Sequence, residues 1–127
     1  MVDSKDIRKY INKGEMFALF DENLVSVCIV IEKTKGNFEI KNIATHKDYQ
    51  GKGHGKYLIN YLFEFYKDKG KTMCVGTGES PLTLPFYEKL GFKYSHRIKN
   101  FFIDNYNHPI YEDGILLKDM VYLKKEF

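Results

Sequence analysis

Residues 37–45 read as a buried strand and residues 56–69 as an amphipathic helix. Between them lies Gln50-Gly51-Lys52-Gly53-His54-Gly55-Lys56. A second short apolar run, Thr72–Gly76, follows the helix. A strand–helix–strand unit crosses over right-handed, so residues 72–76 are expected to lie parallel to 38–45. That crossover commits the chain to a mixed α/β fold. The glycine-rich turn also leaves backbone N–H groups unpaired at the positive end of a helix dipole, which makes an anion site, most often for phosphate. Lys52, His54 and Lys56 strengthen the preference for an anion.

The rest of the chain fits around this unit. Asp3 and Ser4 are good helix caps, and Ile7, Tyr10 and Ile11 share a helical face, so a short helix is expected over about residues 4–13, stopped by Gly14. Glu15–Phe20, Leu24–Lys33 and Phe38–Thr45 read as three strands joined by short turns, an antiparallel meander. Leu24–Lys33 is apolar almost throughout, as in a central strand buried on both faces. In the helix, Leu58, Ile59, Leu62, Phe65 and Tyr66 make the apolar side, and Gly70 ends it. A second helix is expected at about 82–90, stopped by Gly91. Phe92–Ile98 and Ile115–Lys124 form a final antiparallel pair, separated by an aromatic connection, 99–114, too long for a tight hairpin. At 127 residues, one domain covering 1–127 is expected.

Charge and composition narrow the partners. A net charge of +3 suits a small anionic ligand and is too mild for nucleic acid, since no Lys/Arg block appears. His46, His54, His96 and His108 have no ligand-type spacing, so no metal site is expected. Cys28 and Cys74 lack CxxC spacing and read as buried free thiols of a reducing compartment. The polar start is no signal peptide, and no apolar run reaches membrane-spanning length, so a cytoplasmic chain is expected.

The glycine turn is neither of the common nucleotide motifs. A dinucleotide fingerprint needs glycine where Lys56 stands, and a Walker A loop needs Ser or Thr where Tyr57 stands. What remains, Gln50-Gly51-Lys52-Gly53-His54-Gly55 after a strand, resembles the pyrophosphate-binding signature of the GNAT superfamily, the acetyl-CoA-dependent N-acetyltransferases. Downstream, Leu84-Pro85-Phe86-Tyr87-Glu88-Lys89-Leu90-Gly91-Phe92 looks like that family's FYEKLGF segment. The resemblance covers about residues 15–98.

The resemblance implies a mostly antiparallel sheet with a splayed parallel strand pair, helices on both faces, and acetyl-CoA as the acyl donor. It implies that Gln50, Gly51, Lys52, Gly53, His54, Gly55 and Lys56 hold the pyrophosphate, while Ile43, Ala44 and Thr45 offer backbone groups to the pantetheine arm. Ser80 is closest to the place where many members carry a pantetheine-binding Asn. Tyr87 matches the family's general acid. Only about a thousandth of an aliphatic amine is free base at pH 7, so a base is needed, and Glu39 falls where histone-acetylating members carry theirs. Asn42, three residues on, falls on the opposite face of an ideal strand unless a bulge intervenes. Phe102, Asp104 and Tyr106 in the 99–114 connection suit a cationic amine, small-molecule or protein. Family members normally begin with another strand and more helix, so the first strand is expected to be missing here. Two other readings stay open: a CoA-binding regulatory module without transfer, and a peptide acetyltransferase. A homodimer would fit exposed edge strands.

Overall fold

Short apolar runs separated by turns across 15–45 dictate strands, and the computed structural model pairs them as the short turns require. It describes residues 5–11 and 14–127. The chain divides into two compact units, residues 1–73 with Phe127, and residues 74–126.

In the first unit, β1 (Lys5–Ile11), β2 (Glu15–Asp21), β3 (Asn23–Thr34) and β4 (Asn37–Thr45) form an antiparallel meander in chain order. The sequence expectation over residues 4–13 was a helix, and the structure corrects it. Lys5–Ile11 is a strand that pairs along its length with β2, with Ile7 opposite Leu19. Ile7 and Ile11 satisfy helical and alternating periods alike, and a neighbouring strand edge decides between them. The proposed caps Asp3 and Ser4 lie outside the described residues. β1 is thus the edge strand of the meander, next to β2.

After a 3-10 turn at Lys47–Tyr49, α1 (His54–Tyr66) packs on β3 and β4. Its stripe of Leu58, Ile59, Leu62 and Tyr66 is fully buried, each such side chain contributing about 1.5–3 kcal/mol. The Phe17 ring meets Tyr61, Phe65 and Tyr66 edge-on, and Phe38 lies 4.4 Å from Tyr66. The Tyr66 hydroxyl donates to Glu15 at 2.6 Å. β3 is less enclosed than its sequence suggested: Val25, Ser26, Cys28 and Val30 are buried, whereas Val27, Ile29 and Ile31 are half-buried.

In the second unit, β5 (Thr72–Gly78) begins in the first unit and continues here. α2 (Leu84–Lys89) and β6 (Lys93–Ile98) follow. The 99–114 connection is structured. It holds α3 (Phe101–Asp104) and the first strand of a two-residue-turn hairpin, β7 (Tyr111–Glu112) with β8 (Ile115–Leu116). The turn residues Asp113 and Gly114 both have positive φ, 51° and 75°, the Asp-Gly hairpin signal. β9 (Met120–Glu126) lies between β5 and β6, antiparallel to β6. The expected strand Ile115–Lys124 is thus split in two. No helix among the described residues is long and apolar enough to cross a membrane.

Candidate functional site

In the first unit the candidate residues cluster at the end of β4 and the start of α1. Gly51 and Gly53 have φ of 75° and 85°, conformations that cost an L side chain strain. The space a Cβ would occupy at either position is open. Gly53 is the N-cap of α1, and no side chain caps it. The N–H groups of His54, Gly55 and Lys56 open the helix, where no intrahelical acceptor exists. A 13-residue helix starting with bare donors beside open space is built to receive an anion.

The side chains of this turn divide differently from the sequence expectation. Lys52 and Lys56 are exposed, with the Lys52 ammonium 5.9 Å over the Tyr49 ring. His54 is buried: its ring meets Tyr49 edge-on at 5.7 Å, and its Nδ1 has no hydrogen-bond partner. It packs against Tyr49 rather than standing exposed with the two lysines. Gln50 Nε2 donates to the Thr45 carbonyl at 3.0 Å, tying the turn to the end of β4. Ser26 Oγ donates to the Ala44 carbonyl at 2.9 Å and lies 3.0 Å from Thr45 Oγ1. Ile43 is half-buried and Ala44 exposed.

Glu39 and Asn42 come to share a face. On β3, Ile31 pairs with Glu39 and Ile29 with Asn42, while Lys41 is the extra residue of a β-bulge. Ile29 and Ile31 point the same way and cross-strand partners share a face, so the bulge cancels the parity that would separate Glu39 from Asn42. Glu39 is 4% exposed, with Lys33 Nζ at 3.2 Å and Lys41 Nζ at 3.7 Å from its carboxylate. Asn42 is exposed.

In the second unit, Tyr87 lies on α2, buried among Phe86 and Phe92, whose rings meet it edge-on at 5.1 and 5.6 Å. The Tyr87 carbonyl accepts from the N–H groups of Leu90 and Phe92, and Gly91 at φ 99° makes the reversal that allows this. That is the physical content of the FYEKLGF spacing. Burial, and then the charge of Glu112, push the Tyr87 phenol up to about 12. Among the described residues its hydroxyl has no hydrogen-bond partner.

Ser80, 2% exposed, donates to Glu112 Oε1 at 2.8 Å and accepts from Leu82 N at 3.1 Å and Thr83 N at 3.4 Å. Its hydroxyl proton is therefore committed within its own unit. Glu112 is not among the residues singled out by the sequence; it directly precedes the Asp-Gly turn. Phe102 and Tyr106 stack at 6.0 Å and, with Ile110, Leu116 and Leu117, line a cavity of about 280 Å³. Asp104 is exposed and does not line it. Among the described residues no group of three or more His, Cys, Asp or Glu could hold a metal.

Comparison with known proteins bears on this geometry. The sequence model of a family described as "Acetyltransferase (GNAT) domain" matches residues 12–94. The uncharacterized N-acetyltransferase YvbK of Bacillus subtilis is 36% identical over 124 residues, covering 94% of this chain and 80% of that protein. The crystal structure of a GNAT family acetyltransferase from Elizabethkingia anophelis with acetyl-CoA bound superposes with a TM-score of 0.90 at 27% identity. It covers 99% of this chain and all of that one, 100%. A Bacillus subtilis acetyltransferase in complex with CoA superposes with a TM-score of 0.87 at 32% identity, over 93% of this chain and 80% of that one.

Proposed function

The chain belongs to the GNAT acetyltransferase family, and from that premise we propose that it transfers an acetyl group to a primary amine with Tyr87 as general acid. It has the family's mixed α/β fold, mostly antiparallel with one parallel pair, and is an acetyl-CoA-dependent acyltransferase. We take residues 1–127 as one acetyltransferase domain, a reading supported by the end-to-end match with the E. anophelis structure.

The residues present fit the cosubstrate. The observation that carries the reading is the start of α1: bare N–H donors, two glycines in left-handed conformation, and open space where their Cβ atoms would stand. Gly51–Lys56 would hold the pyrophosphate through backbone donors, and Gln50 would keep that turn on β4. Ile43, Ala44 and Thr45 would meet the pantetheine through backbone groups. Ser80 could join them only by giving up its bond to Glu112. When bound, acetyl-CoA supplies an activated thioester, so no protein nucleophile is required. The Cys28 thiol, pushed up to about 12 by burial, is no candidate for one.

Tyr87 then has one task, to supply a proton where the thiolate leaves. With its phenol at about 12 it is fully protonated at every working pH. Complete transfer to a thiol of pKa ~8.5 is uphill by roughly 3.5 units, about 5 kcal/mol. Tyr87 therefore works as a hydrogen-bond donor whose proton moves only as charge develops on sulfur. Glu39 is the base candidate, and it can accept a proton only when its pairs with Lys33 or Lys41 open. Asn42, sharing its face, and the Phe102–Tyr106 wall are the acceptor-side candidates, together with Asp104.

The test is thioester release from acetyl-CoA across small and peptide amines, with Tyr87→Phe alongside. A loss of about a hundredfold in kcat is expected for Tyr87→Phe with acetyl-CoA affinity unchanged. Because the phenol is raised, the wild-type rate should show no fall from Tyr87 ionisation below about pH 11. Equal rates for the two proteins would remove Tyr87 from the chemistry. Binding of acetyl-CoA without turnover of any amine would favour a CoA-binding regulatory module.

A further inference from the structure

A cavity of about 480 Å³ in the second unit has no part in acetyl transfer. It is lined by Gly91, Lys93, Tyr94, Lys124, Lys125 and Glu126, around the start of β6 and the end of β9. The connection that carries Phe102 and Tyr106 leaves the other end of β6, roughly 15 Å further along the strand.

Charge in this cavity is unbalanced. Lys93 and Lys124 are direct cross-strand partners, and like charges so placed repel. Among the described residues neither ammonium group has an ion pair or a hydrogen bond. Lys9, Lys33, Lys41 and Lys67, by contrast, each meet a carboxylate at 2.9 to 3.7 Å. Lys125 is half-buried, and its ammonium lies over Gly91, where an added Cβ would come within 2.6 Å of it. Gly91, at φ 99°, thus both reverses the chain after α2 and leaves room for that ammonium. Glu126 supplies the one carboxylate of the lining. Three ammonium groups against one carboxylate leave an excess of two positive charges. A phosphate monoester carries about −1.5 to −2 at pH 7 and matches that excess. Lysines bind phosphate as point charges, without the fork geometry of arginine.

Tyr94 adds a surface for the rest of such a ligand. It is 57% exposed, and the guanidinium 5.7 Å from its ring, that of Arg97, is already bound to Glu79 and Asp119. A bare phosphate ion fills only part of this cavity, whose volume falls in the range of about 300–1,000 Å³ usual for small organic ligands.

We propose that this cavity binds a small phosphate monoester, its phosphate on Lys93, Lys124 and Lys125 and its body against Tyr94. The bound phosphate offsets the repulsion between the two opposed lysines. The site works whether or not the chain transfers acetyl groups.

The test is calorimetry on the whole chain with phenyl phosphate, inorganic phosphate and phenol, with and without saturating CoA to fill the turn before α1. Wild type should bind phenyl phosphate in both conditions, inorganic phosphate less tightly and phenol not at all, with affinity falling as KCl is raised. The double variant K93Q/K124Q should bind phenyl phosphate about tenfold to a hundredfold more weakly. Its Tm without ligand should be at least that of wild type, because the repulsion is gone. Lys52→Gln, at the α1 turn, should bind phenyl phosphate as wild type does. No binding by wild type, unchanged binding by K93Q/K124Q, or equal affinity for inorganic and phenyl phosphate would overturn the proposal. Displacement of phenyl phosphate by CoA, or its loss in Lys52→Gln, would put the anion at the α1 turn and overturn it too. Failure of CoA itself to bind would instead remove the acetyl-transfer reading, with K93Q/K124Q still deciding where the phosphate ester sits.

Discussion

Replacing Gly53 by Ala separates two costs that the structure assigns to different places. At φ 85° an L residue pays about 1–2 kcal/mol of backbone strain. No heavy atom lies within 4 Å of the Cβ position, so packing adds nothing to that figure. For a chain of this size the expected fall in Tm is roughly 3–10 °C. Cofactor affinity should suffer separately, because the methyl group takes the open space over the bare N–H donors of α1. Losing even two backbone bonds to a phosphate would weaken CoA by about a hundredfold. The assay is calorimetry with CoA and with pantetheine, which lacks the pyrophosphate, plus thermal unfolding of both proteins. CoA binding should collapse while pantetheine binding barely changes, and Lys52→Ala, removing an exposed cation, should weaken CoA only a few-fold. If Gly53→Ala bound CoA within twofold of wild type despite its lower Tm, the turn would not be the pyrophosphate clamp.

Two further predictions concern the first unit. Glu39→Gln should lower kcat/KM at pH 7 and recover towards wild type as pH approaches the pKa of the amine. A deficit that stays constant with pH would assign Glu39 to holding Lys33 and Lys41 instead. Tyr66→Phe should cost about 1–3 kcal/mol in urea unfolding, because it strips a buried partner from Glu15. Burial alone would raise the Glu15 carboxyl, but the Tyr66 hydroxyl and Lys9 outweigh it and hold it low. A lowered folded-state pKa stabilises above the unfolded value and is lost as pH falls, so wild type should lose more stability than the variant between about pH 5 and 3. Parallel acid curves for the two proteins would refute that coupling.

Much of the site could be read without coordinates because its determinants are local. A glycine turn between strand and helix exposes backbone donors wherever it occurs, and Gln50–Lys56 carries that geometry in its residue types. Tyr87, Gly91 and Phe92 likewise form a self-contained helix end, with the tyrosine carbonyl accepting from the Leu90 and Phe92 N–H groups on either side of Gly91. The meander of residues 15–45 followed from apolar runs and short turns, and each strand bound moved by at most one residue. Such features arise within a dozen residues, where periodicity and turn chemistry decide the outcome.

The remainder depended on pairing between distant residues. Lys5–Ile11 satisfies a helical period, and only the edge of β2 makes it a strand. Whether Glu39 and Asn42 share a face turned on one unpaired residue, Lys41, which appears only when β4 is laid against β3. His54 was counted among the cations of the turn, and packing buried it against Tyr49. Ser80 and Glu112 stand 32 positions apart, and neither residue type announces the other. The sequence by itself thus determined the glycine turn, the helix end around Tyr87 and the three strands of residues 15–45. Tertiary structure alone decided which carboxylates are compensated, because charge pairing depends on side chains that the fold brings together from separate strands and loops.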